Sequence, residues 1–142
     1  MSKSMWNLKN IDNEIKNSPS AILREQAEHF EKETKQVLYA RIDNVTLKGN
    51  PDFEYKLASN FSIMSPALDN YTYTIFTVYS NPESNYPLAI TINFNKKDDL
   101  DWFQPDHVCK DEEEFIKALD SIIASEKVTE IVHILYSKSK NY

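Results

Sequence analysis

The stretch YTYTIFTVYS, Tyr71 to Ser80, decides the fold. Every residue in it except Ser80 is β-branched or aromatic, the types that pack well on a pleated surface and lose side-chain freedom in a helix. The segment is therefore predicted to be a strand. A run this apolar would template aggregation if it lay at a bare sheet edge, so it is expected inside the sheet, paired on both sides. Simple alternation puts Tyr71, Tyr73, Ile75, Thr77 and Tyr79 on one face and Thr72, Thr74, Phe76 and Val78 on the other.

Upstream, Asp69-Asn70 forms a turn and Pro66 ends a preceding strand read over Phe53 to Ser65. Gly49-Asn50-Pro51-Asp52, which holds the chain's single glycine, closes a hairpin between that strand and one running from Val37 to about Lys48. Leu38, Ala40 and Ile42 share a face of this first strand. Ser18-Pro19 reads as an N-cap with proline at the first helical position. Leu23, Ala27, Phe30 and Thr34 then mark one stripe of a helix from about Pro19 to Gln36. Residues 1–17 are polar with scattered Met5, Trp6, Leu8, Ile11 and Ile15, and are read as a loosely packed N-terminal arm or a short helix.

Downstream, Asn81 to Asn85 is a loop. Tyr86 to Phe94 alternates Leu88, Ile90, Ile92 and Phe94 against smaller or polar residues, a strand with one buried face. Asn95 to Lys110 is the longest irregular stretch. Asp111 and Glu114 stand at capping-box spacing before Phe115, Leu119, Ile122 and Ile123, which predicts a helix to about Ser125. Val128, Ile131, Val132 and Leu135 continue the helical period after a break near Glu126. The connections are too short for parallel crossovers. The expected architecture is therefore α+β, a two-layer sandwich of order α-β-β-β-β-α-α. It has a four-stranded antiparallel meander sheet, an N-terminal helix and two C-terminal helices packed mainly on one face. All 142 residues are read as one domain, because no linker or repeat divides them.

A hydrophobic fraction of 41% with 12% aromatic residues suits a self-sufficient core, and one cysteine, Cys109, cannot make an intramolecular disulfide. No apolar run approaches the roughly 18 to 20 residues that span a bilayer, and residues 1–17 have no signal-peptide pattern. A reducing cytoplasm is the expected location, with no membrane partner.

Net charge is −6, and it is concentrated. Asp98, Asp99, Asp101, Asp106, Asp111, Glu112, Glu113 and Glu114 are opposed within their span only by Lys110, a local net charge of −7, and the rest of the chain sums to +1. Such a patch repels phosphate backbones, so nucleic acid is not an expected partner.

Few enzyme signatures are found. One glycine is too few for a phosphate-cradling loop, and there is no Gly-x-Ser-x-Gly elbow. An EF-hand loop starting at Asp99 would need glycine where Gln104 stands. His29 and His133 carry no ligand or catalytic spacing and read as surface histidines. His107-Val108-Cys109, preceded by Asp106, mixes possible zinc ligands, but the remaining ligands of a tetrahedral site are not in view, so no metal or cofactor is expected. The same residues as a Cys/His dyad define the rival reading, a small enzyme of unspecified reaction with Asp106 as orienter.

The leading expectation is a non-enzymatic protein-binding module of adaptor, inhibitor or immunity type. It would present residues 98–114 to a basic partner, with Asp98, Asp99, Asp101 and Asp106 as the charged rim and Trp102 and Phe103 as aromatic anchors. The competing account of the two rings is that they fold back onto the sheet as a lid. A third reading is a homodimer or assembly protein associating through the tyrosine face of Tyr71, Tyr73 and Tyr79. No named family is recognised. At the level of fold and charge alone, the chain resembles small bacterial proteins and acidic immunity or adaptor modules.

Overall fold

A computed structural model of the chain describes residues 3–47, 53–94 and 103–142. The elements are α1 (Ile11–Lys16), α2 (Pro19–Glu33), β1 (Tyr39–Thr46), β2 (Leu57–Ser65), a 3₁₀ turn (Pro66–Leu68), β3 (Tyr71–Asn81), β4 (Ser84–Ile92), β5 (His107–Cys109), α3 (Glu112–Ile123) and α4 (Glu126–Asn141). The strands form one antiparallel meander in the order β1-β2-β3-β4-β5. The α+β class and the meander are as the sequence predicts, and β3 lies at the centre.

The sheet has a fifth strand beyond the four predicted. His107–Cys109 pairs with β4, matching Leu88 to Cys109 and Ile90 to His107. The backbone N–H of Asp106 extends this ladder by donating to the Ile90 carbonyl at 2.8 Å. Three residues are too few to carry a period-two signal, so pairing rather than pattern defines this strand. The loop read over Asn81 to Asn85 contracts to a two-residue turn, because Asn81 already pairs with Ser84.

α2 stops earlier than its apolar stripe suggests. Its C-cap is Thr34, and Lys35 (φ 53°) and Gln36 (φ 65°) follow in the left-handed region. Gln36 N–H donates to the Glu31 carbonyl at 2.9 Å and Lys35 N–H to that of Lys32 at 3.0 Å, the Schellman pattern that occupies the last free carbonyls of a helix. Thr34 Oγ1 joins the helix end to β1 by donating to the Leu38 carbonyl at 2.9 Å.

β3 does not keep simple alternation. Phe61 pairs with Phe76 and Ser62 with Thr74, so Ile75 is an extra residue, a bulge on β3. Ile75, Phe76 and Val78 all enter the core, and the phase of the strand flips. Tyr73 also packs against that core, whereas Tyr79 belongs to the opposite face. The expected continuous tyrosine face is thus divided.

α2, α3 and α4 cover a single sheet face. Leu23, Phe115, Leu119, Ile122, Val128 and Leu135 from these helices meet Phe61, Ile63, Phe76, Val78, Leu88 and Ile90 from the sheet in one apolar cluster. Phe61 stacks on Phe76 at 4.9 Å between ring centroids and 7° between planes. Ser65 and Ser139 join α4 to the end of β2 through a buried hydroxyl pair at 2.5 Å. No helix among the described residues is long and apolar enough to cross a membrane.

Candidate functional site

The acidic segment is the first site to place. Asp98, Asp99, Asp101 and Trp102 lie outside the described residues, as does the turn predicted at 49–52. Phe103 and Asp106 are described. Phe103 lies on the sheet face away from the helices, with its ring edge-on to Tyr79 at 4.8 Å, to Phe53 at 5.1 Å and to Tyr55 at 6.1 Å. These four rings cover Ala58 and Ala89, both buried, which are the cross-strand neighbours of Tyr79. Phe103 therefore takes the lid position, though its ring keeps a partly exposed flank. Burial is the main cause that raises the Tyr55 phenol above its ordinary pKa, and the Glu54 carboxylate adds to it.

Asp106 has structural work. Its Oδ2 accepts the Ile92 N–H at 2.6 Å, holding the strip before β5 against the end of β4. Farther on, the Asp111 carboxylate accepts the Glu114 N–H at 2.9 Å, the N-cap bond the sequence spacing predicts, while Glu114 Oε1 reaches past the N-cap to accept the Lys110 N–H at 3.1 Å. Glu112 and Glu113 extend into solvent, with Glu113 3.2 Å from Lys117 Nζ.

His107 and Cys109 share one face of β5, over the start of α3. Cys109 is 1% exposed. Burial, then Glu114 and Asp111, push its thiol up from 9.0 to about 11. An activated nucleophile needs the opposite shift, toward thiolate. Nearby, burial and then the Glu112 carboxylate push the Tyr86 phenol up to about 12, and its hydroxyl is buried with no hydrogen-bond partner among the described residues. Among those residues no three His, Cys, Asp or Glu side chains gather as a metal site.

A second feature lies on the helical layer. Between α2 and α4 opens a groove of about 400 Å³, with Phe61, Ile63 and Ile75 of the sheet as its floor. Phe30, Val132 and Tyr136 form its apolar walls, and Gln26, His29, Glu33, Thr129 and His133 its polar rim. Both histidines are exposed, as the sequence suggests, but they border one depression. Residues 26, 29, 30 and 33 of α2 and 129, 132, 133 and 136 of α4 recur at helical spacing, which is the signal in the sequence that marks each wall. What the sequence does not contain is that two helices 100 residues apart leave a gap between them. The groove holds no nucleophile with an oriented base, and its chemistry suits an amphipathic occupant.

Comparison with known protein families, curated proteins and solved structures gives no match, so function has to be argued from these surfaces themselves.

Proposed function

We propose that the protein is a non-enzymatic binding module of adaptor, inhibitor or immunity kind, acting in the cytoplasm and using residues 98–114 to engage a basic protein partner. The observation that carries this reading is the confinement of a net charge of −7 to that span of a chain otherwise near neutrality. The fold grips the chain on both sides of Asp98, Asp99 and Asp101, with Phe94 against the core and Phe103 in the aromatic cluster. A charged segment tethered at both ends loses less conformational entropy on binding than a free tail. Complementary charge would steer encounter with the partner, and Trp102 with the flank of Phe103 would supply the apolar contact.

The test is affinity capture from a cell lysate, followed by kinetics with whatever basic protein is retained. Wild type is compared with an Asp98→Lys, Asp99→Lys, Asp101→Lys triple variant and a Trp102→Ala, Phe103→Ala double variant. The proposal expects a basic protein held by wild type and lost from both variants, with association that slows as salt rises. Retention unaffected by charge reversal, or no basic protein retained at all, would refute it.

A further inference from the structure

The N-terminal arm exposes more apolar surface than its length warrants. Met5 is 95% exposed and Trp6 80%, and Leu8, Ile11 and Ile15 are each more than half exposed. Met5, Leu8, Ile11 and Ile15 are spaced three, three and four residues apart, which on a helix makes one continuous stripe. Only Ile11–Lys16 is helical, because Asn10 sits at φ 65° and interrupts the run. An amphipathic segment in this condition lacks the partner that would complete its helix. The α2/α4 groove is the matching vacancy, an apolar floor with a polar rim, and helix-in-groove docking uses anchors at this spacing.

The corner between arm and α2 decides whose groove is filled. Ser18 N–H and Ser18 Oγ both donate to the Ile15 carbonyl, at 3.2 and 2.7 Å, and Ser18 Oγ accepts the Ala21 N–H at 3.3 Å. Pro19 stiffens the same corner. The groove is lined by the far half of α2, from Gln26 to Thr34. To lie in its own groove the arm would have to reverse at Ser18 and break these bonds, whereas a neighbouring molecule's groove asks for no change there. We propose that two copies of the chain associate by exchanging arms, with residues 3–16 of each docking as an amphipathic helix in the α2/α4 groove of the other. Four large apolar side chains per arm, Met5, Leu8, Ile11 and Ile15, face the groove, and the surface buried by both arms falls at the low end of interface sizes, below about 1,200 Å², the class of weak, concentration-dependent association. This dimer is independent of the acidic segment.

Sedimentation velocity of the full chain across a concentration series reads it directly. The expected mass rises with concentration from 16.6 kDa toward twice that value. Met5→Ser with Leu8→Ser in the exposed arm, or Thr129→Arg on the exposed groove rim, should each weaken association by about tenfold or more. Mixing the arm variant with the rim variant should restore some dimer, because one intact arm then meets one intact groove. A concentration-independent monomer overturns the proposal. A dimer indifferent to both variants overturns the proposal too, and moves the interface to another face.

Discussion

Cys109, Tyr86 and Lys35 show how much single residues depend on neighbours that the sequence does not reveal. The Cys109 thiol, raised from 9.0 to about 11, keeps its proton in the folded chain over a range where the unfolded chain gives it up. The unfolded state then binds fewer protons than the native state, so stability falls with rising pH. This contribution is full below pH 9 and declines through pH 11, by at most about 1.4 kcal/mol per pH unit. Urea titrations across that window should show the decline, and Cys109→Ala should remove its onset between pH 9 and 10 and leave the part above pH 10 that the raised Tyr55 and Tyr86 phenols contribute. A thiol reagent at pH 8 should label the native protein only as fast as it opens. Tyr86 carries a buried hydroxyl without a partner among the described residues, so Tyr86→Phe removes a desolvated polar group and should leave stability equal or raise it by about 1 kcal/mol. Lys35 occupies the left-handed position of a Schellman motif, where glycine is the usual residue, and this is why the end of α2 is illegible in the sequence. Lys35→Gly should raise the unfolding free energy by about 1 kcal/mol, and a loss of stability would contradict this assignment of the cap.

Elements were legible where local chemistry and tertiary packing agree. Ser18-Pro19 starts α2 and Asp111 with Glu114 starts α3, and Ser125, read only as the end of the helix before it, caps α4, each because a side-chain oxygen takes an otherwise free N–H of the first turn. Asp111→Ala should therefore cost about 1 kcal/mol in denaturant unfolding, while Asp111→Ser should restore most of it. Packing alone sets the features that were not legible. Residues 107–109 form a strand because β4 has a free edge and Asp106 seats them on it. The bulge at Ile75 exists because the helical layer takes Ile75 and Phe76 together, which no alternation rule anticipates. A contact 74 residues apart, the Ser65–Ser139 hydroxyl pair, is equally invisible in local sequence. Ser139 also donates to the Leu135 carbonyl at 2.6 Å, so its proton is committed and Ser65 is the donor to Ser139. Ser139→Ala should then cost about 1–3 kcal/mol by stranding the Ser65 hydroxyl, and adding Ser65→Ala should recover part of the loss, a coupling measurable by a double-mutant cycle.

For the whole molecule, the meander and its one-sided helical layer follow from short connections and apolar periodicity, which is why class and strand order could be read from the chain. The candidate surfaces divide differently. The acidic span is legible as charge, since carboxylates declare themselves, but the roles of Phe103 as a cover on the open face and Asp106 as a ladder extension depend on distant strands. The α2/α4 groove was not legible, because a gap between elements belongs to neither element. Charge itself leads to a whole-molecule prediction. Eight carboxylates lie between residues 98 and 114 against one basic residue, Lys110, and folding that brings them closer than the expanded chain does turns their repulsion into a cost to stability. Screening relieves this repulsion, with a Debye length that shortens from about 30 Å at 0.01 M salt to about 8 Å at 0.15 M. Stability measured by urea unfolding should therefore rise as sodium chloride increases over that range. Asp98→Asn, Asp99→Asn and Asp101→Asn together should raise stability at low salt and weaken its dependence on salt. If folding keeps these charges no closer than the unfolded chain does, both salt responses will be flat, and the acidic span exerts its field only on what approaches it from outside.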